Sequence, residues 1–139
     1  MAGRTVGILT GGGDCPGLNA VIRAVVRRSA DRGDRVLGVQ EGWRGLINAK
    51  ATELGPREVS GILPRGGTIV GTSRTNPYTI DGAVEQLLGN TATLGLDAVV
   101  AVGGEDTLGV AARLHKEHDF PAVGVPKTID NELSATDYT

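Results

Sequence analysis

Thr5-Val6-Gly7-Ile8-Leu9 is a short run of apolar and β-branched residues with no polar alternation. That pattern predicts a parallel strand buried on both faces. Gly11-Gly12-Gly13-Asp14-Cys15-Pro16-Gly17 breaks the run. Apolar residues then recur at Leu18, Val21, Ile22, Val25 and Val26, the period of a helix with one apolar face. Asp31-Arg32-Gly33 ends that helix, with Gly33 expected just past its C-cap. Arg35 to Val39 reads as a second strand.

The middle of the chain is less periodic. Glu41 to Leu46 predicts a turn and a helical piece, and Pro56 starts a short helix running to Leu63. Gly66-Gly67 predicts a loop and Thr68 to Gly71 a short strand. Ile80 to Leu94 predicts a helix. Asp97 to Val102 is the strongest strand pattern in the chain, followed by Gly103-Gly104 and a helix from Asp106 to Lys116. Pro121 to Val125 predicts a last strand, cut by Pro126. Strands alternate with helices, so the expectation is an α/β fold with a doubly wound, mostly parallel, Rossmann-like sheet. With 139 residues, the chain forms one domain over 1–139, with no repeat, linker or low-complexity segment.

Composition sharpens this picture. The 22 glycines in 139 residues are about twice the ordinary share. They cluster, which marks loops where backbone comes close to a ligand or to other backbone. The hydrophobic fraction of 40% is enough to bury a core. No apolar run reaches the length of a membrane span, and no charged-then-apolar leader opens the chain. Cys15 stands alone, which excludes a disulfide framework and a thiolate zinc site. The net charge of −2 gives no reason to expect nucleic acid. A cytoplasmic protein that handles a small ligand is the expectation.

Three loops follow predicted strands, and open α/β sheets bind ligands at the carboxyl ends of their strands. Gly11 to Asn19 puts glycine backbone at a helix N-terminus, which suits phosphate; it reads equally as a tight strand-to-helix turn. It is neither a Walker loop nor the dinucleotide fingerprint, since no Gly-Lys-Ser/Thr follows and Pro16 stands where the third glycine belongs. Gly103-Gly104-Glu105-Asp106-Thr107 places two carboxylates where they hold Mg²⁺ or simply favour the helix dipole. Pro126 to Glu132 brings a lysine, a hydroxyl, a carboxylate and an amide close together, the parts phosphoryl transfer uses, or else a polar turn. A fourth loop, Gly71 to Arg74, supplies an arginine. His115 and His118 share no evident ligand set, and Cys15 and Trp43 read as packing residues.

These loops, in this order, resemble the phosphofructokinase family. The matching stretches are Gly7 to Ala20, Arg65 to Thr68, Gly71 to Arg74, Gly103 to Thr107, Pro126 to Asn131 and Thr136 to Thr139. They cover essentially the whole chain. The resemblance implies the N-terminal part of a phosphofructokinase-like fold, and transfer of a phosphoryl group to the 1-hydroxyl of fructose 6-phosphate. It implies that Asp130 is the base, with Thr128 beside it at the transferred group and Ile129 completing the sugar-side stretch. Gly13, Arg74, Thr75, Gly104, Asp106, Thr107 and Lys127 match the donor side, and Glu105 a Mg²⁺ position where the family commonly has aspartate. Arg23 and Arg27 match effector positions of some bacterial members.

The resemblance also addresses the donor. Pyrophosphate-using members carry aspartate at the position of Asp106 and lysine at that of Lys127; ATP-using members usually have glycine at the former. Pyrophosphate is therefore the expected donor and ATP the alternative. Glu132 and Ala135 stand where aspartate and glycine are usual, which bears on the geometry of the catalytic loop and raises the reading of a non-catalytic regulatory homologue. Kinases of the NAD or diacylglycerol kind match only Gly103 to Thr107. The Gly-Gly-Asp-Glu-Phe nucleotide cyclases place such a loop in a hairpin. Family members are longer than this chain, so the resemblance implies that much of the sugar-phosphate site lies outside it, that the 139-residue piece alone is inactive, and that the full-length enzyme is a homo-oligomer.

Overall fold

A strand with large apolar side chains on both faces must have something packed on each, and β1 (Thr5–Thr10) does. The computed structural model describes residues 3–12, 18–61 and 68–126. In it Ile8 and Leu9 are fully buried and belong to two separate apolar clusters. Successive side chains of a strand point to opposite faces, so those clusters are the two sides of one sheet.

The sheet has the order β3-β2-β1-β4-β5, with β2 at Arg35–Val39, β3 at Ala51–Leu54, β4 at Ala98–Gly103 and β5 at Ala122–Pro126. β1 pairs in parallel with β2 on one side and β4 on the other, and β4 with β5. Only β3 runs antiparallel, against β2. Helix α1 (Leu18–Asp31) connects β1 to β2, and α5 (Glu105–His118) connects β4 to β5 in the opposite direction across the sheet. With one handedness for both crossovers, they must lie on opposite faces. They do: Leu18, Ile22 and Val26 of α1 pack with Ile8, while Val110, Ala111 and Leu114 of α5 pack with Leu9. The α5 face also holds α2 (Trp43–Ile47) and α4 (Ala83–Thr93). Connections thus diverge between β1 and β4, and the crevice of a doubly wound sheet opens at that point.

Gly33 ends α1 as expected, in the left-handed region at φ 79°. Its N–H bonds the Ala30 carbonyl and the Asp34 N–H bonds that of Ser29, at 3.0 and 2.8 Å. This is a Schellman closure.

Six elements differ from the expectation. Ala51–Leu54 is a strand that the sequence pattern did not mark. It has four residues, two of them exposed and polar, and its register comes from β2 rather than from its own period. Thr68 to Gly71 is a turn, not a strand. The Thr10 hydroxyl donates to the Gly71 carbonyl at 2.8 Å and so replaces ladder pairing. The helix expected from Pro56 is α3 (Pro56–Val59), because Ser60 turns extended; Leu63 lies outside the described residues. The helix expected from Ile80 starts at Ala83, since Pro77–Thr79 forms a 3₁₀ turn and Gly82 has φ 75°. Pro126 extends β5 rather than cutting it. It pairs with Gly103 at the edge of the sheet, where a missing donor is tolerated. Helix α5 is also longer than expected, by one residue at its start and two at its end.

Candidate active site

Four chain segments meet at the carboxyl ends of β1 and β4. The first leaves β1: the Gly11 N–H still reaches the Val102 carbonyl of β4 at 2.9 Å, and the Gly12 N–H turns to the Ser73 carbonyl at 3.2 Å. The second leaves β4 through Gly103 and Gly104 into α5. Gly104 is the N-cap, in extended conformation, and offers no side chain. The first N–H groups of α5 therefore have neither a helical partner nor a side-chain cap, and the positive end of the helix points out of the sheet. Glu105 and Asp106 sit exposed in that first turn.

The third segment is 68–76, laid across the end of β1. Thr10 holds it through Gly71, as above, and its oxygen also lies 3.1 Å from the Thr68 hydroxyl. A hydroxyl has one proton, and that of Thr10 goes to Gly71, so Thr68 is the donor in this second bond. Arg74 follows, with its side chain exposed and with no ion pair among the described residues. The fourth segment is the turn from β2 into α2. Here Trp43 is almost fully buried, with its ring edge-on to Phe120 at 6.2 Å between centroids. The expectation that Trp43 packs is met, and it also forms part of the site wall.

Between these segments lies a cavity of about 340 Å³, walled by Gly12, Trp43, Ser73, Arg74, Thr75, Asp106 and Thr107 among others. A second cavity of about 260 Å³ adjoins it. Asn76, Asp106 and Val110 line both, while Tyr78, Glu105, Gly109 and Arg113 line the second alone. Of the residues singled out from sequence, Arg74, Thr75, Asp106 and Thr107 therefore share one cavity, and Glu105 opens on its neighbour. Gly104 begins α5 between β4 and both carboxylates. Thr107 is buried, and its side chain fills the gap beside Gly11 and Gly103. Gly13, Lys127, Thr128, Ile129 and Asp130 lie outside the described residues, as do Cys15, Glu132 and Ala135.

Sequence reasoning passed over Ser73 and Asn76 as single residues. Ser73 stood inside the Gly71–Arg74 stretch, but nothing in its type marked it. Tyr78 on the second cavity is half-buried under the Arg113 guanidinium, which lies 3.8 Å from the ring centroid. Burial first, then the nearby Glu117 carboxylate, push the Tyr78 hydroxyl above its ordinary pKa.

The chemistry on offer is a cation and unpaired helix N–H groups on one side, and carboxylates on the other. The first set suits phosphate oxygens. Among the described residues no three His, Cys, Asp or Glu side chains converge on one point. A cation here would take one or two protein carboxylates and complete its shell from phosphate and water. That donor set fits Mg²⁺, which keeps several waters and binds through few carboxylates plus substrate phosphate.

The family model described as Phosphofructokinase matches residues 5–139. The chain is 57% identical over 135 residues to a pyrophosphate–fructose 6-phosphate 1-phosphotransferase of Streptomyces coelicolor, covering 96% of this chain and 40% of that protein. It is 53% identical over 135 residues to ATP-dependent 6-phosphofructokinase 3 of the same organism, covering 96% and 39%. Among solved structures, phosphofructokinase of Pichia pastoris in the T-state superposes with a TM-score of 0.86 at 30% identity, over 94% of this chain and 17% of that one. The chain thus spans about 40% of the length of the curated relatives it matches.

Proposed function

The chain belongs to the phosphofructokinase family, and from that membership we propose that the protein transfers a phosphoryl group from pyrophosphate to the 1-hydroxyl of fructose 6-phosphate. The products are fructose 1,6-bisphosphate and phosphate, as in glycolysis. The observation that carries the choice of donor is Asp106, which lies on both cavities. A nucleotide with its phosphates in the first cavity would lead the rest of its length past this carboxylate. Pyrophosphate is compact and ends before it. Lys127, the residue after Pro126 in the chain, adds a cation suited to a small doubly charged phosphate.

In this reading Arg74 and the first N–H groups of α5 hold the donor, with Gly13, Thr75, Gly104, Thr107 and Lys127 around it. Asp130 takes the proton of the sugar 1-hydroxyl as its oxygen attacks the transferred phosphorus. The bond from that phosphorus to the bridging oxygen breaks, and phosphate leaves with the electron pair. Thr128 and Ile129 flank the transferred group on the sugar side. There is little covalent chemistry for the protein in such a transfer; positioning and charge stabilisation dominate. Glu105, with Asp106 beside it, is the candidate to hold Mg²⁺, which when bound neutralises charge on the phosphate oxygens. The reading includes a cytoplasmic homo-oligomer, and among the described residues no helix is long and apolar enough to cross a membrane.

A second reading, ATP as donor, is favoured by the 260 Å³ cavity beside Tyr78, which has room for more than phosphate. One experiment separates the two. The protein at the full length of its relatives is supplied with fructose 6-phosphate, Mg²⁺ and either donor, and fructose 1,6-bisphosphate is followed. Turnover with pyrophosphate alone is expected. Turnover with ATP alone would overturn the role given to Asp106 and Lys127. No turnover with either would turn the reading to a regulatory homologue, with Glu132 the first residue to revert.

A further inference from the structure

We propose that Ser73 is the positioning residue of the donor cavity: it ties together three of the segments that wall it and so fixes where Arg74 starts. The inference rests on the donor reading above.

The hydroxyl and the carbonyl of Ser73 are engaged with different segments. Its hydroxyl donates to the Glu41 carbonyl in the β2–α2 turn at 2.6 Å, the short end of the range for such bonds. Its carbonyl accepts from the Gly12 N–H at the end of β1, at 3.2 Å. Its hydroxyl oxygen also accepts from the Thr75 N–H, on the far side of Arg74, at 3.4 Å. The Glu41 N–H in turn donates to the Val70 carbonyl at 2.8 Å, so both backbone groups of Glu41 are held by the segment that carries Arg74. Glu41 sits at φ 60°, in the left-handed region, without being glycine. Such a conformation persists where its surroundings over-determine it, and here the surroundings are Val70 and Ser73.

Ser73 is not a direct phosphate donor in this arrangement. A serine hydroxyl has one proton, and the Glu41 carbonyl takes it. What Ser73 supplies is the place of its neighbour. The Arg74 side chain has no ion pair among the described residues to fix it, so its reach into the cavity is set by where its backbone is anchored. Thr10 anchors the segment at Gly71, three residues earlier. Ser73 is the anchor next to the arginine.

The test is made in the enzyme at the full length of its relatives, with Ser73→Ala, Ser73→Cys and Ser73→Thr. Ser73→Ala is expected to raise the KM for pyrophosphate about tenfold, a fraction of the ~100-fold that a 1 Å misplacement can cause. The KM for fructose 6-phosphate is expected to stay at the wild-type value. Ser73→Cys, which keeps the size and weakens the donor, should follow Ala, so the result stands on either variant if one fails to fold. Ser73→Thr keeps the hydroxyl and should recover most of the donor affinity. Calorimetric binding of pyrophosphate without sugar should weaken by the same factor as KM. An unchanged donor KM in both Ala and Cys variants, an equal rise in both KM values, or no recovery in Ser73→Thr would overturn the inference. A wild-type enzyme that neither binds nor uses pyrophosphate would overturn the donor reading first, and this inference with it.

Discussion

Thr107 occupies the space beside Gly11 that any larger residue would need: a β-carbon on Gly11 would overlap the threonine hydroxyl. One on Gly103 would come within 2.6 Å of the Thr107 β-carbon. The two glycines end neighbouring parallel strands, and Thr107 lies in the first turn of the helix that follows. This contact draws the N-terminus of α5 onto the strand ends, and so places its free N–H groups at the cavity.

Gly11 does not have a positive φ, so a substitution there is penalised by crowding alone. Gly11→Ala should destabilise the protein by about 1–3 kcal/mol, the usual range for overpacking. Thr107→Ala removes the obstructing atoms. The double variant should therefore be less destabilised than the two single variants summed, by at least about 0.5 kcal/mol. Urea unfolding of all four proteins measures this. Additive effects would mean that the strand end and helix move apart freely, contrary to the packing described.

Arg74 is exposed at the cavity wall without a carboxylate partner among the described residues. None of the ion pairs among the described residues is lost when it is replaced. Arg74→Ala should lower kcat/KM for pyrophosphate by about 10–100-fold, the worth of one charged hydrogen-bonding group. Arg74→Lys keeps the charge and loses the planar fork, and should fall between the two. Steady-state kinetics with each substrate varied in turn provide the check. A defect confined to fructose 6-phosphate would place Arg74 on the sugar side instead.

Much of this fold was legible because its central strands are apolar without alternation and its long helices keep one apolar stripe. Ile8, Leu9, Leu18, Ile22 and Val26 announce their own elements. Ala51–Leu54 did not, because a short edge strand with exposed Thr52 and Glu53 takes its conformation from its neighbour. Thr68 to Gly71 misled for the opposite reason: Ile69 and Val70 look like strand residues, but one hydroxyl from Thr10 holds the backbone in a turn. In the site, the loops after the strands marked Arg74 and Asp106, and the resemblance to the phosphofructokinase family gave them, with Thr107, a donor-side role. Neither could show that Thr107 is a packing wedge, that Asp106 lies on both cavities while Glu105 lies on one, or that Ser73 joins three segments. Those are relations between parts of the chain distant in sequence, and spacing carries no trace of them.

Asp106 on the shared wall gives a direct expectation for donor choice. Asp106→Gly removes a charge that opposes a polyphosphate chain and opens the passage between the two cavities. Use of ATP should appear or rise, and use of pyrophosphate should fall. Two like charges about 4 Å apart repel by about 4 kcal/mol at an effective dielectric near 20, which bounds the shift at roughly three decades. Competing the two donors in one assay, with both products followed, reads the ratio directly. An unchanged ratio would locate the discrimination elsewhere, with Lys127 the next residue to exchange.

The second cavity has a pH signature of its own. The Arg113 Nε donates to Glu117 at 2.9 Å and holds that carboxylate below its ordinary pKa. A carboxylate whose folded pKa is lowered adds stability at any pH above its unfolded value of about 4.3, and that stability is lost as pH falls through the folded value. Tyr78 behaves in the opposite sense. Its hydroxyl is raised above its ordinary value, mainly by burial. It keeps its proton in the folded state after the unfolded state has lost it, so stability present below about pH 10 is lost as pH rises through the folded value. Melting temperature against pH should therefore fall at both ends. Tyr78→Phe should flatten the alkaline limb, and Glu117→Gln should flatten the acid limb while reducing the alkaline one only in part, since burial is the first cause of the Tyr78 shift and the Glu117 carboxylate the second. The acid effect should be the smaller, because Glu117 is exposed and salt screens it. An acid limb that survives Glu117→Gln unchanged would mean that the Arg113 contact does not hold the carboxylate in solution, and the wall of the second cavity would then be freer than the Arg113–Tyr78 stack implies.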